Sequence, residues 1–198
     1  MAVSTQALQL VCHTATPSSL PMALSCAVWA DPGLRPTLHV RYELMGDLSQ
    51  LRVPAPAPEG TADGLWQHTC FEAFAMPAES PAYQEFNFSP SGQWASYRFS
   101  AERVRHFTAE VTQQLGPRRW RPLLRVERHA NRLVLQASLT HEALAGASPG
   151  GCLRLGLSAV VEDRAGQLSY WALHHPAAQP DFHHPGSFVH LLTWPPLP

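Results

Sequence analysis

The chain has 198 residues, 45% of them hydrophobic and 15% charged, with a net charge of −1. That length suits one sizeable domain with a buried core, and the near-neutral balance gives no electrostatic footprint for nucleic acid. All 14 basic residues are arginine, a bias that a GC-rich coding sequence produces by itself, and no run reaches the ~18 apolar residues that a membrane-spanning helix needs.

The first thirty residues are apolar in patches, but Pro17 and Pro21 interrupt them and no Lys or Arg precedes Arg35. They therefore lack the charged start and continuous apolar run of a signal peptide, and the expectation is a cytoplasmic protein. Cys12, Cys26, Cys70 and Cys152 form no Cys-x-x-Cys pair, so they are expected to be reduced and mostly buried. From Thr37 to Leu44 the residues alternate. Leu38, Val40, Tyr42 and Leu44 share one face and His39, Arg41 and Glu43 the other, which predicts a strand with one side in the core. Pro54 to Pro58 reads as a stiff extended connector.

Between Gly64 and Phe99 the composition changes. Alternation puts Trp66, His68, Cys70, Glu72 and Phe74 on one face, and Phe71, Ala73 and Ala75 on the other. In the next strand Tyr83, Glu85 and Asn87 oppose Gln84, Phe86 and Phe88. After a turn at Ser89-Pro90-Ser91-Gly92, Trp94, Ser96 and Arg98 oppose Ala95, Tyr97 and Phe99. Paired as a meander, the three strands are expected to gather Trp66, His68, Glu72, Tyr83, Glu85, Asn87, Trp94 and Arg98 on one surface. Carboxylates, an amide, an arginine and flanking aromatics are the parts of a polar-ligand site, in which aromatic faces stack on a sugar ring and the polar groups meet its hydroxyls. The same spacing also allows Glu72 and Glu85 simply to pair with Arg98 beneath covering aromatics.

Further along, Ser100 to Gln114 allows one short helix after an N-cap serine. Six arginines lie between Arg118 and Arg132, interrupted by Glu127, and read as an exposed loop-and-strand surface. Alternation returns at Leu123 to Glu127 and from Leu133 to Leu139, with a tight turn at Asn131 between them. Thr140 to Leu144 could form a capped single turn. Another alternating run spans Leu153 to Val161, and Asp163-Arg164-Ala165-Gly166 makes a turn before Leu168. Phe188 to Leu192 closes the series. Nine or ten short strands without βαβ alternation or internal repeat predict an all-β fold: a two-sheet antiparallel β-sandwich with one or two short helices, a single domain over residues 1–198.

Five histidines fall late, at His174, His175, His183, His184 and His190, with Asp181 among them. Imidazoles are common ligands for zinc, copper and iron, so His174, Asp181, His183 and His184 form a candidate metal set. Against it, paired histidines on an extended chain point to opposite sides, and no His-x-x-x-His spacing supports them. A loop tied over a sheet edge is the alternative, and haem ligation by one of these histidines is a further one. Glu72 and Glu85 could also act as an acid and base pair, as in glycosidases, but no nucleophile elbow, phosphate-binding glycine loop or His-Glu-x-x-His accompanies them. Cys70 beside His68 reads as a structural cysteine, since side chains two apart on a strand project in parallel.

The segments Trp66-Gln67-His68-Thr69-Cys70-Phe71-Glu72 and Glu85-Phe86-Asn87-Phe88-Ser89-Pro90-Ser91-Gly92-Gln93-Trp94 resemble the DOMON-like proteins, which are related to the family-nine carbohydrate-binding modules. Leu168 to Leu173 and Pro180 to His184 share the resemblance, which extends from about Leu38 to Leu192. It implies a sandwich whose concave face takes sugars in some members and haem in others, with Glu72 as the acidic residue lining that face. The chain is expected to be a small stand-alone member, without the hydrolase or redox domain that accompanies such modules. The leading expectation is a non-catalytic module that holds a small polar ligand, a saccharide first, on the concave face of one sheet, with no cofactor and no nucleic-acid or membrane partner. The rivals are a metal- or haem-dependent protein that uses the histidine loop with Glu72, and an interaction domain without a small ligand.

Overall fold

The computed structural model describes residues 7–32, 35–110, 120–144, 146–148 and 150–195. Its strands are β1 (Leu8–Cys12), β2 (Ala23–Asp31), β3 (Thr37–Met45), β4 (Gly60–Thr61), β5 (Cys70–Pro77), β6 (Tyr83–Phe88) and β7 (Gln93–Ala101). They continue with β8 (Val104–Arg105), β9 (Leu123–Arg128), β10 (Arg132–Thr140), β11 (Cys152–Glu162), β12 (Leu168–Ala172) and β13 (His190–Thr193). The alternating runs are the cause. Each puts branched or aromatic side chains on one side of a pleated ribbon, where they pack against neighbouring strands.

The strands hydrogen-bond in the order β4-β7-β6-β5-β11-β12-β1-β2-β3-β10-β9, with β8 added beside β7 and β13 beside β11. All pairings are antiparallel except β4 with β7. β1 belongs to both halves of this path, pairing with β2 through Leu8–Leu10 and with β12 through Val11–Cys12. The expected two sheets are therefore joined into one strongly curled sheet, a half-barrel, and the mostly-β expectation holds in that form. A run of residues 107–110 is helical, and the rest of the helix expected up to Gln114 lies outside the described residues. The turn expected at Thr140 to Leu144 is a 3-10 turn at His141–Ala143. No described helix is long and apolar enough to cross a membrane.

The main core lies inside the curl. Leu38, Val40, Tyr42, Leu44, Leu133 and Leu135 come from one half and meet Phe71, Phe86, Leu153, Leu155 and Leu157 from the other. Burying each such side chain contributes about 1.5–3 kcal/mol. Tyr42 links the halves: its ring stacks on Phe71 with centroids 5.0 Å apart, and its hydroxyl donates to the Glu72 carbonyl at 2.6 Å.

A second, smaller core covers the opposite face of β5, β6, β7 and β11, with Phe74, Met76, Tyr83, Tyr97, Phe99 and Val160. The segment after β12 folds down over it and contributes Phe182 and Phe188. Phe188 stacks on Phe74 with centroids 5.6 Å apart, and it passes so close to Gly156 on β11 that a Cβ there would stand 2.5 Å from its ring. Gly156→Ala should therefore lower unfolding stability in urea by about 1–3 kcal/mol through overpacking. A loss below 0.5 kcal/mol would mean that the covering segment is held loosely.

Candidate functional site

β5 is buried along almost its whole length, with odd-numbered side chains in the main core and even-numbered ones on the second face. β6 is buried throughout and behaves likewise, with Phe86 and Phe88 in the main core and Tyr83 on the second face. The register pairs Glu72 with Asn87, and Phe74 with Glu85. Both glutamates thus point into the space between the second face and the covering segment.

That space is an open cavity of about 420 Å³, within the ~300–1,000 Å³ usual for small-ligand sites. Trp66, Tyr97, Phe99, Tyr170 and Phe182 form its aromatic walls, and Val160 and Pro180 add apolar surface. Glu72, Glu85, His183, Arg103 and Arg105 supply its polar groups.

These polar groups differ in how they are satisfied. Arg105 makes a two-pronged contact with Glu110 at 2.9–3.1 Å and lies over the Tyr97 ring, 4.3 Å from its centroid. Arg103 donates to Asp181 at 2.7 Å, and its backbone, at a left-handed φ of 57°, donates to the Tyr83 hydroxyl at 3.0 Å. The Tyr97 hydroxyl donates to Asp63 at 2.7 Å, which anchors the loop carrying Trp66. Trp66 meets Tyr97 edge-on at 5.7 Å. His183 lies 2.8 Å from the Tyr83 hydroxyl through Nδ1 and 3.6 Å from Glu85 through Nε2. Glu85 accepts from the Asn87 amide at 2.8 Å, whereas Glu72 Oε1 has no hydrogen-bond partner.

Burial dominates the protonation of this group. It raises the Glu72 carboxyl well above its ordinary range, and the Glu85 charge adds to that. Burial also lifts Glu85 to about 7 and lowers His183 to about 4.

Of the residues expected to share one surface, Trp66, Glu72, Tyr83 and Glu85 lie at the cavity or in the small core beside it, and Asn87 supports Glu85 from β6. Trp94 and Arg98 are turned to the other face. Tyr97 is opposite Glu85 and Ala95 opposite Asn87, so Tyr97 and Phe99 line the cavity instead. The cause is the hairpin. Ser89 pairs with Gln93 around a three-residue loop, closed by Gly92 at a φ of +91°. Reading Ser89 as part of a four-residue loop shifts the register by one, and a one-residue slip exchanges the two faces of a strand. Trp94 packs against Trp120 at 5.1 Å, and the Arg98 backbone N–H donates to Glu110.

His68 does not reach the cavity either. Residues Leu65–Gln67 form a 3-10 turn led by Gly64 in the left-handed region, so strand alternation does not extend back beyond Cys70. His68 bonds Glu162 at 2.7 Å, beside Arg52. Cys70 is fully buried and its thiol is raised by that burial, with a contact to the Phe88 carbonyl.

The proposed metal set is dispersed. His183 lines the cavity, Asp181 holds Arg103, His184 Nδ1 accepts from the Gly186 N–H, and His174 is exposed. Among the described residues no three His, Cys, Asp or Glu side chains come together in a way that could hold a metal ion. Sequence reasoning missed Arg103, Arg105, Tyr170, Pro180 and Phe182, which reach the cavity from a hairpin turn, a distant strand and the covering segment. Only the aromatic and proline content of Tyr170 to Phe182 hinted at a covering role.

No protein-family model matches the chain, and no curated protein matches it either. Solved structures do share the fold. A candidate carbohydrate-binding protein from Bacteroides uniformis ATCC 8492 aligns with a TM-score of 0.67 at 16% identity, covering 96% of this chain and 86% of that one. A family 9 carbohydrate-binding module from Caldicellulosiruptor kristjanssonii, in complex with glucose, aligns with a TM-score of 0.60 at 8% identity, covering 94% and 83%. A structure of such a module from the same organism with cellotriose gives 0.57 at 8% identity, covering 96% and 83%. The chain shares its fold with these solved structures.

Glu85 and His183 make opposing contributions to stability. A carboxyl raised from 4.5 to about 7 binds an extra proton in the folded state, so its contribution falls as pH rises through that window. An imidazole lowered from 6.5 to about 4 loses its contribution as pH falls through its own window. The two slopes offset each other between about 4.5 and 6.5. Glu85→Gln should expose the histidine slope there. At pH 8 it should stabilise the protein by on the order of 3 kcal/mol, a rise in Tm of several degrees. Melting curves from pH 4 to 8 check this, and an equal shift at every pH would contradict it.

Proposed function

We propose that the chain is a non-catalytic saccharide-binding module, with the cavity between β5–β7 and the covering segment as its binding site. The observation that carries this is the joining of aromatic walls to a buried carboxylate floor in one open cavity. Trp66 and Tyr170 offer apolar surface to the faces of a sugar ring, and Glu72 and Glu85 offer acceptors to its hydroxyls. The shared fold with modules solved in complex with glucose and cellotriose supports the reading, as does the resemblance carried by Trp66–Glu72 and Glu85–Trp94, of which Trp66, Glu72 and Glu85 line the cavity. In this reading the site is the face of β5–β7 opposite the main core, narrowed to a pocket by the covering segment.

The reading predicts stabilisation by at least one sugar in a thermal-shift screen of mono- and oligosaccharides. At a hundredfold excess over Kd, linkage gives about 2.7 kcal/mol, roughly 5–10 °C for a chain of this size. Trp66→Ala should abolish the shift while leaving the unliganded Tm within about 2 °C, because Trp66 is 40% exposed on a short turn. No shift with any saccharide would refute the proposal, and so would an undiminished shift in Trp66→Ala.

A further inference from the structure

Among the described residues, four buried side-chain oxygens lack a hydrogen-bond partner, and three of them belong to one row of the sheet. Ser158 on β11 stands opposite Glu72 on β5, and Glu72 stands opposite Asn87 on β6. Ser158 Oγ, Glu72 Oε1 and Asn87 Oδ1 are the three unpartnered atoms. The row is flanked by alanines, with Ala172 next to Ser158 and Ala95 next to Asn87. Buried polar atoms are nearly always paired, and leaving one unpaired costs about 1–3 kcal/mol. Three such atoms lie in one row, and Glu72 at its centre lines the cavity, where a donor on a ligand can reach it.

Four of the donors at or beside the cavity are engaged elsewhere. Arg103 is held by Asp181 and Arg105 by Glu110, and the Tyr97 hydroxyl is committed to Asp63. The Tyr83 hydroxyl accepts from the Arg103 backbone and contacts His183. Each arginine at the rim thus has its own carboxylate. Glu85 has the Asn87 amide and His183 beside it, with His183 kept neutral near neutral pH by burial, and Glu72 Oε1 has no partner. The floor therefore accepts hydrogen bonds and favours positive charge, and a hydroxyl, one donor without charge, satisfies less of it than an ammonium with three.

Building on the saccharide-binding reading above, we propose that the cavity selects an amino sugar of the glucosamine type. The protonated amine sits against the carboxyl groups of Glu72 and Glu85, and the ring lies between the aromatic walls. Asn87 is a positioning residue, since its amide fixes the Glu85 carboxyl at 2.8 Å. Because burial holds both carboxyls partly protonated, seating the ammonium ionises them, and the displaced proton passes to the buffer.

Calorimetric titration of the whole chain with glucosamine, N-acetylglucosamine, glucose and cyclohexylamine tests this, run in two buffers of different ionisation heat. Glucosamine should bind at least tenfold more tightly than glucose or N-acetylglucosamine, and should release protons where glucose does not. Glu72→Gln keeps the side chain's shape and removes its charge. It should fold and lose the preference for the amine, and Glu85→Gln should do the same. Equal binding of glucose and glucosamine overturns the amino-sugar proposal and leaves the saccharide module standing. Binding of cyclohexylamine with no sugar bound overturns both and makes the cavity a site for a non-sugar amine. Binding of nothing in the series also overturns both.

Discussion

Everything in this molecule turns on β5 being covered on both faces. Its odd-numbered side chains fill the main core, where Phe71 stacks under Tyr42, and its even-numbered ones face the small core and the cavity. A strand in that position is expected to read as a continuous apolar run. Cys70-Phe71-Glu72-Ala73-Phe74-Ala75-Met76 does so with one exception, and the exception is a glutamate whose backbone carbonyl is tied to the opposite half by Tyr42. Glu72 cannot move out to water without disturbing the strand that joins the two layers of packing. Its carboxyl is therefore held where it is poorly solvated.

The neighbouring strands extend the same constraint. Glu85, Asn87 and Ser158 sit on strands hydrogen-bonded to β5, and their registers set them around Glu72 independently of any loop. A site carried on central strands is more rigid than one carried on loops, so its donors and acceptors are preorganised before a ligand arrives. The strain on stability is the counterpart. Hydrophobic residues at Glu72 and Asn87 would give a simpler core, and the retention of polar groups there makes sense as specificity. The covering segment completes the arrangement, since Phe182, His183 and Phe188 shield the carboxyls from bulk water and raise the strength of every electrostatic contact inside.

The local part of this design was readable in the residues. Alternation placed Tyr42, Phe71, Phe86 and Leu155 in the core, and it put Glu72 and Glu85 on a common face. What alternation cannot supply is the relation between strands. The face shown by β7 depends on how one short loop closes, and the left-handed Gly92 made the loop one residue shorter than Ser89-Pro90-Ser91-Gly92 suggested. Trp94 and Arg98 went to the wrong side for that reason alone. His68 lies elsewhere for a different reason: the period-two pattern does not run back through the 3-10 turn at Leu65–Gln67, which follows the left-handed Gly64. The long-range partners were not readable at all. Nothing near Ser158 in sequence points to Glu72, and Tyr170 and Phe182 reach the cavity only because β12 and the segment after it fold over the sheet.

This assembly also determines how the site responds to its ligand. The cavity does not exist until β5 has paired with β11, until β6 and β7 have formed their hairpin, and until the covering segment has docked through Phe182 and Phe188. The β5–β11 pairing and the docked segment are non-local contacts, set by the fold as a whole rather than by a neighbouring turn. The rim is different, because Trp66 rides on a three-residue turn held by the Asp63–Tyr97 bond and can swing without breaking a strand pairing. A ligand that contacts the floor therefore stabilises the whole domain, whereas one that touches only Trp66 orders a single turn. The depth of binding is then visible in global stability itself, and a molecule that reaches Glu72 is distinguished from one that merely rests on the rim.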